Sequence, residues 1–182
     1  MAVTRAFRAE RYAGRAGPLE DLVAPPYDVI DPTARTEYLA RSPHNVVHLT
    51  LPDSEDEAAR ELEAWRAGGI LTRDEEPAAW ALSQSYVGPD GIERTRNGVV
   101  VALRLEPYER RVVLPHERTH AGPKEGRLRL LRATRTQLEP IFRAIRCVGK
   151  IVRPSSSVET STTIIQALAS VPSSAWNASA VS

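Results

Sequence analysis

One helix signal limits the fold of this chain more than any other feature, because it includes both ends of the helix and its buried face. Ser54 is followed three residues later by Glu57, which is a capping-box pattern. Apolar residues then recur at helical spacing, at Ala58, Leu62 and Trp65. The pair Gly68-Gly69 ends the pattern. We therefore predict a helix from Glu55 to Arg66 that packs against other elements through its apolar face.

Runs with strand character lie on both sides of this helix. They are rich in β-branched and apolar residues, and turn residues bound them. The runs are Phe7–Tyr12, Asn45–Leu51, Ala78–Val87 and Asn97–Leu105. A Gly-Pro-Asp-Gly turn at 88–91 separates the last two, which predicts an antiparallel hairpin.

Two further helices complete the predicted elements. Asp31 is a suitable N-cap and Pro32 a suitable first residue for a helix that reaches Arg41. Another helix is predicted from Lys124 to about Arg135, with Leu128 and Leu131 on its buried side. Strands and helices are interspersed, and at least one hairpin is present. We predict an α+β fold, a mixed sheet with an antiparallel hairpin and about three flanking helices.

Composition excludes several broad classes. The chain has 182 residues, of which 42% are hydrophobic and 26% charged, and its net charge is +1, as expected for a globular domain and not for a disordered chain. A single cysteine, Cys147, cannot form an internal disulfide and fits a reducing compartment. No signal-peptide pattern and no apolar run of about 20 residues is present. These features favour a cytoplasmic protein with no membrane partner.

Charge and polar chemistry are concentrated between Leu105 and Arg135. From Arg104 to Arg135, nine Lys or Arg residues stand against four Glu, a surplus of +5 that leaves −4 for the rest of the chain. Arg118 provides a planar fork of donors for a phosphate or carboxylate, and Lys124 a mobile point charge. The helix N-terminus expected at residues 124–126 would present free N–H groups to an anion. The segment predicts an anion-binding site, with a small-molecule anion as ligand.

Other residues in and near this segment suggest what such a site could do. Glu117 could act as a general base or hold magnesium beside a nucleotide, and His116 could shuttle protons near neutral pH. Tyr27 and Asp28 follow two prolines, which hold them in a fixed direction, although an ordinary turn would have the same sequence. The predicted catalytic residues are therefore Glu117, His116 and Asp28, and the predicted ligand-binding residues are Tyr27, Arg118, Lys124, Arg127 and Arg132. The sequence does not identify a cofactor, although ADP or ATP with magnesium would suit such a site, and no residue is predicted to bind a resident metal.

The same segment also matches a zinc-hydrolase pattern, with His116 and His120 four residues apart and Glu117 between them. Two such histidines bind zinc when they share one face of a helix. Pro115 and Gly122-Pro123 leave room for about two turns of helix at most, and no third ligand follows at a recognisable spacing. Zinc hydrolysis is thus a minor alternative.

Nucleic-acid binding is the main alternative outside enzymology. The predicted helix from 124 to 135 carries a set of basic residues that could contact a phosphate backbone: Arg127, Arg129, Arg132 and Arg135. Aromatic residues are not interleaved with them, and the whole chain is not strongly basic. A solvated arginine face on a helix would give the same pattern.

Several motifs together resemble a bacterial and archaeal family catalogued as domain of unknown function 1015. These are Phe7–Tyr12, Ala24–Ile30, Asn45–Leu49, Leu105–Tyr108, Pro115–Thr119, Gly122–Glu125 and Arg127–Thr134. The resemblance covers roughly residues 1–142 and itself implies little biochemistry. A looser, fold-level similarity links such proteins to the sulfiredoxin and chromosome-partitioning superfamily, which includes a nucleotide-using serine kinase. That similarity implies a small-molecule phosphotransferase, if the protein is an enzyme.

The chain departs from the family pattern in two places. His120 stands where the family usually has an apolar residue, which weakens the zinc alternative. Family members also continue well beyond this length after the equivalent of Pro140–Phe142. Residues 148–182 instead contain nine Ser, three Thr and a single acidic residue, Glu159. We expect a family-like domain at 1–142, truncated relative to the family, and a disordered or frameshift-derived tail at 143–182.

Overall fold

The computed structural model describes residues 2–114 and 121–140 and the backbone of 168–170. Its helices are α1 (Leu19–Leu22), α2 (Pro32–Arg41), α3 (Val47–Thr50), α4 (Glu55–Ala67) and α5 (Ala121–Thr134). Its strands are β1 (Thr4–Arg5), β2 (Ala9–Tyr12), β3 (Leu71–Arg73), β4 (Trp80–Val87), β5 (Glu93–Val100), β6 (Ala102–Leu103), β7 (Thr136–Gln137) and β8 (Leu168–Ser170). The predicted α+β class is confirmed. Within the described ranges, no helix is long and apolar enough to span a membrane.

The strands form one larger sheet and two ribbons. The larger sheet has the order β3-β2-β8-β7, and the ribbons are β1-β6 and β4-β5. Every pairing between these described strands is antiparallel, where a mixed sheet was predicted. For β2 and β3, the path of the chain explains the antiparallel pairing. Gly69, at φ +66°, turns it directly from the end of α4 into a strand that runs back along β2.

The ends of the two longer N-terminal helices form as predicted, because their caps are local. In α2 the Asp31 carboxylate accepts a hydrogen bond from the Ala34 N–H at 2.9 Å, and Pro32 occupies the first turn. In α4 the Ser54 hydroxyl accepts one from the Glu57 N–H at 3.2 Å. Both helices end within one residue of the prediction.

The hydrophobic core lies between α4, α5 and the larger sheet. Its buried members are Leu49, Ala58, Leu62, Trp65, Leu71, Leu130 and Leu138, with Tyr12 and Ile70 packed against them. The predicted apolar face of α4 is therefore confirmed. On α5 the prediction is wrong, because Leu130 is buried while Leu128 and Leu131 are only half-buried. Leu130 and Thr134, which are four residues apart, lie on the buried face of α5. The apolar pattern of the sequence alone does not show whether Leu130 or the neighbouring leucines face the core.

The predicted strand Asn45–Leu51 is wrong, since residues 47–50 form the single helical turn α3. Val46 is already helical at φ −57° and ψ −20°, and the Leu51 N–H donates to the Val47 carbonyl at 2.9 Å. The Asn45 side chain starts the turn by accepting a hydrogen bond from the Val47 N–H at 3.0 Å. A short apolar run that is almost wholly buried has no periodicity that separates strand from helix.

Asn45 also joins this turn to the preceding segment. Its side-chain amide is fully buried and donates to the carbonyls of Asp21 at 2.7 Å and Val23 at 3.3 Å. Replacing Asn45 with alanine leaves these buried groups without a partner, so we expect the free energy of unfolding to fall by about 1–3 kcal/mol. Urea denaturation followed by circular dichroism measures the loss. The matched control is Thr36→Ala, which removes an exposed hydrogen bond to Pro32 and should change stability little.

The predicted hairpin is confirmed, but its second strand begins earlier than expected. β5 starts at Glu93 instead of Asn97, and Val87 pairs with Glu93 across the turn. Gly91 adopts φ +75° in that turn. The first half of β5 is polar and exposed, so its sequence has no apolar alternation that would mark it as a strand.

Candidate functional site

The structure describes five of the eight predicted site residues. Tyr27 and Asp28 lie in a short 3₁₀ turn, Tyr27–Val29, while Lys124, Arg127 and Arg132 lie on α5. The other three, His116, Glu117 and Arg118, lie outside the described residues, as does His120 of the zinc pattern. Their predicted roles stay predictions.

The turn that carries Tyr27 and Asp28 is set by the prolines before it. Pro26 adopts φ −53° and ψ 142°, an extended conformation that proline favours and that excludes a continuing helix. The Val29 N–H then donates to the Pro26 carbonyl at 3.2 Å, and this bond closes the turn. Asp28 is exposed, and no hydrogen bond from a described backbone N–H to its carboxylate is present. The side chain is therefore free of the ordinary capping role that the turn sequence also allowed.

Arg127 brings this turn and helix α5 together. Its guanidinium carbon lies 4.0 Å from the centroid of the Tyr27 ring, which is close for a cation–π contact. On its other side, Nη1 lies 3.5 Å from an Oε2 oxygen of Glu139, two residues after β7. The Tyr27 backbone also faces the Glu139 carboxylate and lowers its pKa. We call Tyr27, Asp28, Arg127 and Glu139 the Tyr27–Glu139 cluster.

Glu139 is held in an environment that resists its ionisation. Burial raises the pKa of the Glu139 carboxyl, and the negative charge of Asp28 adds to this effect. The positive charge of Arg127 and the Tyr27 backbone act in the opposite direction. The net result is a raised pKa, so burial outweighs the cation beside it. The Arg127–Glu139 pair is thus weaker than a well-matched bidentate ion pair.

Lys124 and Arg132 have different relations to the cluster. Lys124 is exposed and precedes Arg127 by three residues, so the two cations share one face of α5. Arg132 is also exposed, but it follows Arg127 by five residues and so lies on another side of the helix. Lys124 is therefore placed to act with Arg127, and Arg132 is not.

The helix N-terminus predicted at residues 124–126 is three residues too late. α5 begins at Ala121, and Gly122 and Pro123 are in its first turn instead of preceding it. Proline is tolerated there because the first turn of a helix has no carbonyl for its missing N–H to bond. The N–H groups of Glu125 and Gly126 consequently lie inside the helix and are not free to bind an anion.

The arginines predicted as a nucleic-acid stripe do not form one face. Arg127 turns to Tyr27 and Glu139, while Arg129 forms an ion pair with Glu55 of α4 at 2.8 Å. Arg135 follows the helix in a left-handed conformation at φ 49°, where its N–H caps the Leu131 carbonyl at 2.8 Å. Two of the four side chains are therefore already paired with carboxylates.

A surface groove of about 210 Å³ lies elsewhere, between α4 and α5. Glu63, Arg66, Arg135 and Thr136 line part of it, and none of the five described site residues does. Arg66 is occupied in this groove by hydrogen bonds to Glu10, Glu63 and Thr136. Because this cation is already satisfied, the groove is less suited than the Tyr27–Glu139 cluster to an anionic ligand.

Sequence reasoning missed Glu139, the residue that links both halves of the cluster. Its only local signal is its position between Leu138, which is buried, and Pro140. A carboxylate beside a core residue is common, so the sequence offers no reason to single it out. In the described part of the chain, no group of three or more His, Cys, Asp or Glu residues could hold a metal ion.

Comparison with known proteins identifies the family alone. Neither the curated proteins nor the solved structures include a significant match to this chain. A family model described as a protein of unknown function (DUF1015) matches residues 4–170, which reaches further than the 142 residues of the motif resemblance. Since this match covers most of the sequence, the chain belongs to the DUF1015 family.

Proposed function

We propose that the Tyr27–Glu139 cluster binds the phosphate group of a small molecule, with ADP or ATP and magnesium as the favoured ligand. The observation that carries the proposal is the stacking of Arg127 on Tyr27 at 4.0 Å. A stacked guanidinium keeps its in-plane N–H donors available, and these match the oxygens of a phosphate. Among the described residues, Glu139 is the sole hydrogen-bond partner of Arg127, so most of its donors remain for a ligand.

The neighbouring residues fit the same ligand. Lys124 supplies a second cation on the Arg127 face of α5, and a mobile ammonium suits a phosphate as a point charge. Asp28 is exposed at the rim of the cluster, where a carboxylate can bind magnesium beside a phosphate or accept a proton. Arg118, Glu117 and His116 keep the roles proposed from sequence, which are phosphate binding, base or metal ligand, and proton transfer.

If the protein is an enzyme, we propose phosphoryl transfer from a nucleotide to a small hydroxylated metabolite. This reaction needs positioning and charge neutralisation more than covalent chemistry. Arg127 and Lys124 would neutralise the phosphates, and Asp28 or Glu117 would accept the proton of the attacking hydroxyl. Turnover of nucleotide that depends on a hydroxylated acceptor would support this version.

The alternatives stay weaker proposals. Nucleic-acid binding by the basic helix has less support, because its arginines do not form one face and Arg129 is paired with Glu55. Strong, salt-dependent binding to arbitrary DNA or RNA would favour it. Zinc hydrolysis rests on His116, Glu117 and His120 alone, and zinc bound by the purified protein would be its first support.

Replacing Arg127 with alanine tests the proposed site. We expect the affinity for ADP with magnesium to fall at least about tenfold, since a charge-assisted contact to the phosphate is lost. Isothermal titration calorimetry measures the affinity, and Arg127→Lys should have an intermediate value because it keeps the charge but loses the planar fork.

The control is Arg129→Ala, two residues along the same helix. Arg129 pairs with Glu55 and not with the cluster, so its removal should leave the affinity for ADP with magnesium unchanged. Circular dichroism spectra of all variants establish that α5 is intact. Equal losses in the Arg127 and Arg129 variants would indicate non-specific charge attraction, and no binding by the unaltered protein would refute the proposal.

A further inference from the structure

The contact between Arg127 and Glu139 is longer than the other arginine–carboxylate pairs among the described residues. Its shortest distance is 3.5 Å, whereas Arg35 with Asp53 and Arg129 with Glu55 are at 2.7 and 2.8 Å. Those two pairs have more exposed carboxylates, while Glu139 is only 23% exposed and Arg127 30%. A charge-assisted bond in a half-buried place would be expected to be short. The cluster therefore contains a cation and an anion that are close together but poorly matched.

We propose that Glu139 is an internal competitor for Arg127, and that an anion binding at Arg127 displaces the Glu139 carboxylate and causes it to take up a proton. This inference rests on the proposed function, because it concerns the same site. It assigns Glu139 the role of a specificity residue that sets the pH range in which the site accepts an anion.

The geometry allows the exchange without loss of the fold. The Tyr27 backbone faces the Glu139 carboxylate, so that carboxylate keeps a polar neighbour when Arg127 turns to a ligand. Arg127 can keep its contact with the Tyr27 ring during the exchange, because its guanidinium carbon lies over that ring while a ligand binds the N–H groups. A phosphate or sulfate can accept two parallel bonds from those N–H groups, which the long single contact to Glu139 does not provide.

The charges around Glu139 determine the sign of the pH effect. Among the described residues, Arg127 faces it from α5, and Asp28 and the Tyr27 backbone face it from the turn. Its pKa is already raised, and among the described residues Arg127 is the cation that opposes the rise. An anion on Arg127 cancels that cation and adds a negative charge, so the pKa rises further. Glu139 thus has one pKa in the free protein and a higher pKa in the anion-bound protein. At a pH between these two values, binding of the anion is accompanied by the uptake of a proton, and the affinity increases as the pH falls.

The test uses inorganic sulfate as the probe, because sulfate stays a dianion where carboxyl groups titrate. Calorimetric titrations between about pH 4 and pH 8, in buffers of different ionisation enthalpy, give the affinity and the number of protons taken up. For the unaltered protein we expect an uptake that approaches one proton per sulfate within the window and an affinity that rises towards low pH.

Glu139→Gln is the decisive variant, since glutamine keeps the size and polarity of the side chain but carries no charge. At the high end of the pH range it should bind sulfate about tenfold more tightly than the unaltered protein, with no proton uptake. At the low end the two affinities should converge, because Glu139 is then protonated in both states. Asp28→Asn removes a negative charge that raises the Glu139 pKa. The pH range in which sulfate binding takes up a proton should therefore move to lower pH.

The matched control is Glu55→Gln, which removes the carboxylate of the Arg129 pair on the same helix. It should leave the sulfate affinity and the proton uptake unchanged. If neither the unaltered protein nor Glu139→Gln binds sulfate at any pH, the proposed function itself is wrong. If both bind with equal affinity and equal proton uptake, the site stands and the role of Glu139 is refuted.

Discussion

Replacing Arg66 with alanine is expected to lower the free energy of unfolding by about 3 kcal/mol, because it leaves the carboxylate of Glu10 buried without its cation. The Glu10 side chain is 6% exposed and lies 2.8 Å from Arg66 Nη2. The same guanidinium donates to Thr136 at 3.0 Å, so Arg66 connects α4 with β2 and β7. Arg66 is 25% exposed, which places the effect near the lower end for buried pairs. Urea denaturation measures the change.

The control for this prediction is Arg94→Ala on the β4–β5 ribbon. Its pair with Asp90 is exposed on both sides, so its removal should hardly change the midpoint of unfolding. A double variant, Glu10→Gln with Arg66→Met, removes both charges and should recover most of the lost stability. If Arg66→Ala alone changes stability no more than Arg94→Ala, the buried network contributes nothing and the interpretation is wrong.

Replacing Trp65 with alanine is expected to lower the free energy of unfolding by about 3–5 kcal/mol, because it opens a cavity in the core. Trp65 is 2% exposed, and its ring lies 6.0 Å from that of Tyr12 and 5.7 Å from that of His44. The indole N–H donates to Glu61 at 3.2 Å on the partly buried edge of the ring. Thermal and urea unfolding of the variant measure the loss.

Trp65→Phe serves as the comparison, since it keeps an aromatic ring in the core and should cost clearly less. Trp80→Phe makes the same replacement at a tryptophan outside the core, and so separates the effect of the position from that of the residue type. Trp80 is only half-buried, and the Arg11 guanidinium carbon lies 5.1 Å from its ring centroid. A Trp65→Ala variant that unfolds at the same urea concentration as the unaltered protein would mean that the core is not where the structure places it.

Local hydrogen bonds explain why some elements are predictable from the sequence. The caps of α2 and α4 join residues three apart, at Asp31 with Ala34 and Ser54 with Glu57. Such contacts depend on neighbouring residues alone, so the pattern that predicts them also contains their cause. The apolar face of α4 is predictable for a similar reason, because its period of 3.6 residues is maintained over about two turns, from Ala58 to Trp65.

The errors occur where burial and long-range contacts decide the conformation. The β-branched run at 45–51 becomes a helical turn, because the buried Asn45 amide bonds to Asp21 and Val23, more than 20 residues away. On α5, the choice between Leu130 and its neighbours depends on the direction from which α4 approaches. Neither the long-range hydrogen bonds of Asn45 nor the direction of α4 can be inferred from a short stretch of sequence.

The candidate site shows the same division. Tyr27, Asp28 and Arg127 could each be selected from sequence by chemical type, since rigid turns and arginines suit anionic ligands. Their meeting in one cluster could not be predicted, and Glu139 was not selected at all. The structure leaves His116, Glu117 and Arg118 outside the described residues, so their part in the site stays a prediction.

By itself the sequence determined the family, the α+β class, the capped helices α2 and α4 and the chemical types available for a site. These follow from motifs, from periodicity and from hydrogen bonds between near neighbours. The tertiary structure alone decided that Arg127 lies over the Tyr27 ring, that Glu139 lies beside Arg127 and that Arg66 joins α4 to Glu10. The physical reason is that the energy of an ion pair or a stacked ring depends on distance and burial, and both arise only when distant segments pack together.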